Sequence, residues 1–276
     1  MEALKNKEHW EDWANKFQNN LRATTKGRTI KEIEIHYLIS AIEKYAPKKD
    51  CKVLECGCGN GLNIIGVSQM FPSFKCLGFD FVQAMIDNAL INKDGVEKEL
   101  GRELQLSFQL GDLREPGKIA EKFDVIFTNR AIINLSSTHE QRESLKKLVK
   151  MLNPAGILML LENSVESYAN QNTLRERLGL EKRTPAEFNV FVRESDIIET
   201  LEKEGLKLVA LKNLGSLHDI ILYVLLPKIT GEVDNYENPL VNLAKDLEIS
   251  FQNNFEENHF GSFGQVNLFI FKMEVS

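Results

Sequence analysis

Residues 53–61 read Val53-Leu54-Glu55-Cys56-Gly57-Cys58-Gly59-Asn60-Gly61. A short apolar run closes on an acid, and the chain then enters a helical pattern through three glycines at alternate positions. Such a turn brings the backbone close to a ligand at the carboxyl end of a strand, where open α/β sheets bind their ligands. An ordinary glycine-rich turn would account for any two of these features, but not for all of them together. The dinucleotide fingerprint G-x-G-x-x-G needs a sixth-position glycine, and Leu62 stands there, which turns the reading away from NAD and FAD.

Downstream of this loop, apolar runs at Lys52 to Glu55, Lys75 to Asp80, Leu104 to Leu110, Phe123 to Thr128 and Ile157 to Leu161 alternate with helical patterns. Runs of this length predict parallel strands covered on both faces. The intervening helices are expected at Leu62 to Gln69, Val82 to Lys93, around Arg114 to Glu121, and at Glu140 to Leu152. Asn153-Pro154-Ala155-Gly156 should stop the last of these. Repeated β-α units imply right-handed crossovers and an open, doubly wound α/β sheet, mostly parallel and seven-stranded.

Upstream, Ile35, Leu38, Ile39 and Ile42 recur at helical spacing between Lys31 and Tyr45. Beyond Glu162, helices are expected near Asn170 to Leu180 and from Ser195 to just before Gly205, followed by a sixth strand over Leu206 to Leu214. Leu217, Ile220, Ile221, Val224 and Leu225 fit a helix stopped by Pro227, although Ile220 to Leu226 also fits a strand. A helix follows Pro239, and Val266 to Lys272 supplies the last strand. The division expected is a helical arm over residues 1–50, a core over 51–165, and a cap with the final strands over 166–276.

The 276 residues carry a formal net charge of −6 and a pI near 5.6, which gives DNA or RNA no electrostatic reason to bind. A small molecule is the expected partner. No window approaches the roughly 20 apolar residues a membrane span needs, and residues 1–20 are polar where a signal peptide would be apolar, so the expectation is a cytoplasmic protein without membrane insertion. Cys51, Cys56, Cys58 and Cys76 lack metal-ligand spacing and read as buried thiols, with no metal expected.

Two further acids fall at the same sheet edge. Asp80 ends the second strand, where a carboxylate can accept both ribose hydroxyls; a cap on the next helix is the lesser alternative. Gly111-Asp112-Leu113 follows the third strand. In order and spacing, these motifs resemble those of the class I S-adenosylmethionine-dependent methyltransferases over roughly Cys51 to Glu162. VLECGCGNG is similar to that family's first motif, Asp80 to its ribose-binding acid, and GDL at Gly111 to Leu113 to its adenine turn. LNPAGILMLLE, from Leu152 to Glu162, is similar to its approach to the fifth strand.

The resemblance implies S-adenosylmethionine as cofactor, with Glu55, Gly57, Gly59, Gly61, Asp80, Phe81, Met85, Asp112, Leu113 and Asn129 around it. Glu55 would face the methionine part or order the loop. A similar Ala-Thr-Thr stretch in a subset of the family closes over the cofactor, which implies that Thr24 and Thr25 reach its carboxylate, with Lys26 or Arg28 adding positive charge.

The acceptor should face the strand-four exit, Thr128-Asn129-Arg130-Ala131-Ile132. That sequence departs from the Asn/Asp-Pro-Pro-Tyr of the family's base-modifying members, and this argues against nucleic acid. Arg130 would hold an anionic or hydroxyl-rich group, and Glu162 would accept a substrate proton or bond a hydroxyl. His36, His139 and His218 are alternative bases without an identifying motif. Trp10, Trp13 and Phe17 form an aromatic stripe in the arm. Tyr168, Arg175, Arg177, Arg183, Asn189 and Arg193 give the cap polar and basic character. The expectation is O-methylation of a polar small molecule, a saccharide or a phosphate-bearing acceptor. Small-molecule N-methylation, a nucleotide-dependent oxidoreductase and a non-catalytic cofactor-binding protein stand as alternatives. The oligomeric state is not legible.

Overall fold

The computed structural model describes residues 2–116, 119–251 and 257–274. Its centre is a seven-stranded sheet built from β1 (Lys52–Cys56), β2 (Lys75–Asp80), β3 (Leu106–Leu110), β4 (Phe123–Asn129), β5 (Leu152–Asn163), β6 (Leu206–Leu214) and β7 (Val266–Met273). The spatial order is β3-β2-β1-β4-β5-β7-β6, with only β7 antiparallel to its neighbours. The chain leaves β1 toward β2 and β3 and returns to β4 on the other side, so the carboxyl ends of β1 and β4 flank the topological switch point where α/β sheets bind ligands.

The apolar runs of β1, β4 and β5 are buried on both faces. On one face Val53, Val125, Phe127, Met159 and Leu161 pack against α2 (Arg28–Tyr45), through Ile33, Tyr37, Leu38 and Ile42, and against α3 (Leu62–Met70), through Ile64 and Val67. On the other, Leu54, Cys56, Ile126, Leu158 and Leu160 meet α5 (Thr138–Val149) and α7 (Glu194–Lys203) through Leu145, Leu148, Ile197 and Leu201. Burial of this kind contributes roughly 25 cal/mol per Å² of apolar surface, which is why uninterrupted apolar strands specify a central sheet. Helix α4 (Gln83–Leu100) follows β2, and α1 (Glu2–Phe17) packs on it through Ala14, Trp10 and Phe17 against Val82 and Met85. The four cysteines are free and buried.

The structure corrects several boundaries. Asn153-Pro154-Ala155-Gly156 lies within β5, which begins at Leu152: pairing with β4 jumps from Phe123–Leu152 to Val125–Ile157, and Ala155 sits at φ 60°. Proline without a donor is tolerated at such a bulge. Helix α5 accordingly ends at Val149. The segment from Ser216 is helical, as expected, but Pro227 does not stop it. Helix α8 (Ser216–Ile220) runs through a π turn (Ile221–Leu225) into α9 (Leu226–Thr230), with Pro227 in the first turn of α9 where no backbone donor is required.

Helix α6 (Val165–Arg177) starts earlier than the sequence suggests because Ser164 caps it, its Oγ accepting the Ser167 N–H at 3.0 Å. The helix expected around Arg114 to Glu121 falls partly on residues 117–118, which lie outside the described residues, and 119–122 are irregular. Helix α10 (Pro239–Ser250) completes the cap. Among the described residues no helix is long and apolar enough to cross a membrane.

Candidate active site

A cleft of about 500 Å³ opens over the carboxyl ends of the strands, roofed by the N-terminal arm and the cap. Its floor is the glycine loop. Gly57 and Gly59 line it at φ 71° and 52°, and the N–H groups of Gly57 and Cys58 both donate to Phe79 O, at 2.8 and 2.9 Å, tying the loop to β2. A Cβ on Gly57 would lie 2.6 Å from the Ala131 methyl, and one on Gly59 would lie 2.5 Å from Thr24 Cγ2. The two glycines therefore allow the strand-four exit and the arm to close onto the loop.

Gly61 and Glu55, both expected at the cofactor, lie outside the cleft lining. Gly61 lets α3 pack against Phe108 and Ala89. Glu55 is fully buried beneath the loop, where its carboxylate accepts Asn63 Nδ2–H at 2.6 Å and the Ile64 N–H at 3.1 Å. Burial lifts its carboxyl to about 8. It caps α3 and orders the loop, the second of the two roles the sequence left open.

Asp80 lines the cleft directly above the loop. Its Oδ2 accepts the Gly59 N–H at 2.9 Å and its Oδ1 the Val82 N–H at 3.0 Å. Burial lifts the carboxyl to about 6 against the pull of those N–H donors. Phe81, Met85, Asp112 and Leu113 line the same end. Asp112 is gripped by Arg114, whose Nε lies 2.9 Å from Oδ1 and whose Nη2 lies 2.5 Å from Oδ2.

At the strand-four exit, Asn129 and Arg130 line the cleft, with Arg130 at φ 53°. Both turn to Glu34 of α2: Asn129 Nδ2 donates to Glu34 Oε2 at 3.0 Å, and Arg130 Nη2 to the same oxygen at 3.3 Å. Buried Lys31 completes the cluster, its Nζ 2.8 Å from Glu34 Oε2 and donating to Asn63 Oδ1 at 3.2 Å. Burial opposes the Glu34 carboxylate, but Arg130 and Lys31 outweigh it and hold the group below its ordinary value; burial in turn depresses Lys31. The cluster is not legible in the sequence, where Lys31 and Glu34 look like the polar face of an amphipathic helix. Asn129 Oδ1 and Thr25 Oγ1 are buried without a hydrogen-bond partner among the described residues, and both residues line the cleft.

Glu162 does not reach the cleft. It is fully buried, accepting Thr128 Oγ1–H at 2.7 Å and the N–H groups of Ala131, Ile132 and Ile133 at 3.2, 3.1 and 3.3 Å. Burial lifts its carboxyl to about 7. The expectation of a substrate-facing acid is thus corrected: Glu162 caps the turn after β4, a role that needs the three-dimensional neighbour of β5 to be seen.

The far wall carries Tyr168, Arg183, Asn189, Asp219, Tyr223 and Tyr236. Of the cap residues expected there, Arg175 turns away to the carbonyls of Glu181 and Tyr223, while Arg177 and Arg193 are exposed. Of the candidate histidines, His218 is buried behind the wall, its Nδ1 2.9 Å from Asp219 Oδ1 and its Nε2 2.8 Å from Thr29 Oγ1. Over the mouth, His9 of the arm packs on Phe188 of the cap with ring centroids 4.3 Å apart, beside Trp10 and Trp13.

Comparison with known proteins agrees with this geometry. A family model described as a methyltransferase domain matches residues 47–208, more than half of the chain. An uncharacterized protein of Rickettsia prowazekii (strain Madrid E) is 29% identical over 133 residues, which are 48% of this chain and 50% of that protein, so the match spans about half of that relative's length. A ubiquinone biosynthesis O-methyltransferase of Rickettsia bellii is 24% identical over 189 residues, covering 67% of this chain and 74% of that protein. Among solved structures, magnesium protoporphyrin IX methyltransferase from Synechocystis PCC 6803 with bound SAM shares the fold, with a TM-score of 0.61 over 99% of this chain and 98% of that one at 11% identity. On the family match, with the glycine loop, the acid above it and the strand order in agreement, the chain belongs to the methyltransferase domain family.

Proposed function

We propose that this protein is an S-adenosylmethionine-dependent methyltransferase acting on an oxygen of a polar small molecule. The observation that carries the reading is the lock between Asp80 and Gly59, which holds a carboxylate at the edge of a loop with no Cβ at Gly57 or Gly59. A carboxylate so placed suits a ribose diol. Phe81, Met85 and Leu113 offer an apolar slot for a purine, with Asp112 at the same end. The orphaned Asn129 Oδ1 and Thr25 Oγ1 offer an acceptor and a hydroxyl to an amino-acid moiety, and Lys31 supplies positive charge beside its carboxylate.

When bound, the cofactor supplies a methyl group on a sulfonium, released by in-line attack. What the chain must contribute is orientation and the exclusion of water. The glycine loop and Asp80 fix one reactant, while the far wall holds the other. The arm and the Phe188 segment cover the mouth. Arg130 is held by Glu34 and faces the cleft as a fixed cation that orients the acceptor. The finer reading, a saccharide or phosphate-bearing acceptor, draws support from Arg183 and the tyrosines of the wall.

Calorimetric titration with S-adenosylhomocysteine, with Asp80→Ala and NAD as controls, tests the reading. Micromolar binding lost in the variant is expected; no binding, or preference for NAD, overturns it.

A further inference from the structure

Among the described residues, five lysine and arginine side chains line the cleft, and four have a carboxylate partner. Lys26 pairs with Asp234 at 3.9 Å, Lys31 with Glu34 at 2.8 Å, Arg114 with Asp112 at 2.5 Å, and Arg130 with Glu34 at 3.3 Å. The fifth, Arg183, has no carboxylate within ion-pair distance among the described residues, yet it is held firmly. Its N–H donates to Asn172 Oδ1 at 2.9 Å, and Asn172 Nδ2 returns a bond to Arg183 O at 3.0 Å, so the backbone is clamped in both directions. The guanidinium carbon lies over the Tyr223 ring, 3.5 Å from its centroid, and 5.7 Å from that of Tyr168, and Nη1 donates to Gln171 Oε1 at 2.8 Å.

Stacking occupies the face of a guanidinium and leaves its in-plane N–H groups available. Those groups match the two oxygens of a carboxylate or phosphate bidentately. The backbone clamp already anchors the segment without the charge, so holding the chain in place does not require an arginine. Arg183 is half-buried and lines the cleft, so an anion entering there meets a guanidinium with no competing carboxylate at ion-pair distance among the described residues.

We infer that Arg183 is the anchor for an acidic group, a carboxylate or a phosphate, on the acceptor molecule, and that Tyr168 and Tyr223 set its plane. This rests on the methyltransferase reading of the same cleft and narrows its substrate class: the acceptor is an acid with a small body that fits beside the tyrosines, rather than a neutral saccharide.

The test is titration of the protein saturated with S-adenosylhomocysteine against benzoate, phenyl phosphate and the neutral isostere benzamide, in wild type, Arg183→Gln and Arg183→Lys. In wild type one of the two anions should bind at least about tenfold more tightly than benzamide, and whichever does so distinguishes carboxylate from phosphate recognition. Arg183→Gln should erase that preference, and Arg183→Lys should keep only part of it, with the affinity for S-adenosylhomocysteine unchanged in both. A second readout uses wild type alone: modification of Arg183 by phenylglyoxal, mapped by mass spectrometry, should be slowed by the preferred anion and not by benzamide. Failure of S-adenosylhomocysteine to bind would instead count against the cofactor reading. With that ligand bound, equal affinity for anion and benzamide, a preference that survives in Arg183→Gln, or modification that no anion slows would each overturn the assignment.

Discussion

The backbone N–H of Gly59 donates to Asp80 Oδ2 at 2.9 Å, across 21 residues of sequence, so the glycine loop and the acid at the end of the second strand move as one unit. The second oxygen of Asp80 accepts the Val82 N–H, in the turn that leads into α4. The alternative the sequence offered, a cap on the next helix, is not what Asp80 does: Val82 holds the cap position of α4, and its side chain makes no capping bond there.

Because burial lifts Asp80 to about 6, its ionisation should govern cofactor affinity. The ionised form is the better acceptor for two ribose hydroxyls. Affinity for S-adenosylhomocysteine is thus expected to be full above about pH 6 and to fall as pH drops through that value, by up to about tenfold per unit. Asp80→Asn should bind roughly 10- to 100-fold more weakly at neutral pH and show no such slope, since a hydrogen bond to a charged group contributes about 1.5–3 kcal/mol. A flat wild-type profile between pH 5 and 8, measured by calorimetry, would refute the assignment.

Glu162 should act on stability and not on binding. Its carboxyl is raised from the ordinary 4.5 to about 7, so its contribution is present below the lower value and lost as pH rises through the upper one. The shift corresponds to about 3 kcal/mol. The stability difference between Glu162→Gln and wild type should therefore move in favour of the variant by roughly that amount between acid and mildly alkaline pH, in urea titrations. Glu162→Ala strands the N–H groups of Ala131, Ile132 and Ile133 and should lower Tm at every pH.

Three glycines at positive φ separate strain from contact. Gly101→Ala, at φ 64° with nothing within 4 Å of the added Cβ, should cost only the backbone strain of about 1–2 kcal/mol and leave S-adenosylhomocysteine affinity intact. Gly57→Ala and Gly59→Ala add collisions with Ala131 and Thr24 and should weaken binding by an order of magnitude or more, as judged by equilibrium titration.

The contact between His9 and Phe188 joins arm to cap over the cleft. Phe188→Ala should speed S-adenosylhomocysteine dissociation several-fold while changing association less, as expected when a cover is loosened. Trp10 and Trp13 are the protein's two tryptophans and both line the cleft, so stopped-flow intrinsic fluorescence reports on it directly. Equal dissociation rates in the two proteins would remove the covering role.

By itself the sequence determined what depends on local pattern. Uninterrupted apolar strands alternating with amphipathic helices specify a doubly wound sheet, and β6 falls on Leu206–Leu214 as its pattern predicts. Asp80, Gly57 and Gly59 were legible because a loop needing positive φ and an acid at a strand end are written in neighbouring residues. Tertiary structure alone decided which acids face the cleft. Glu55 and Glu162 each sit one residue before the end of a strand, close to where Asp80 sits on its own, yet each is consumed by orphan N–H groups, of α3 in one case and of the turn after β4 in the other. Glu34, Lys31 and Arg183 were silent or ambiguous for the same reason. The worth of a charge is set by the partner it meets, and Arg130 comes to Glu34 from 96 residues away.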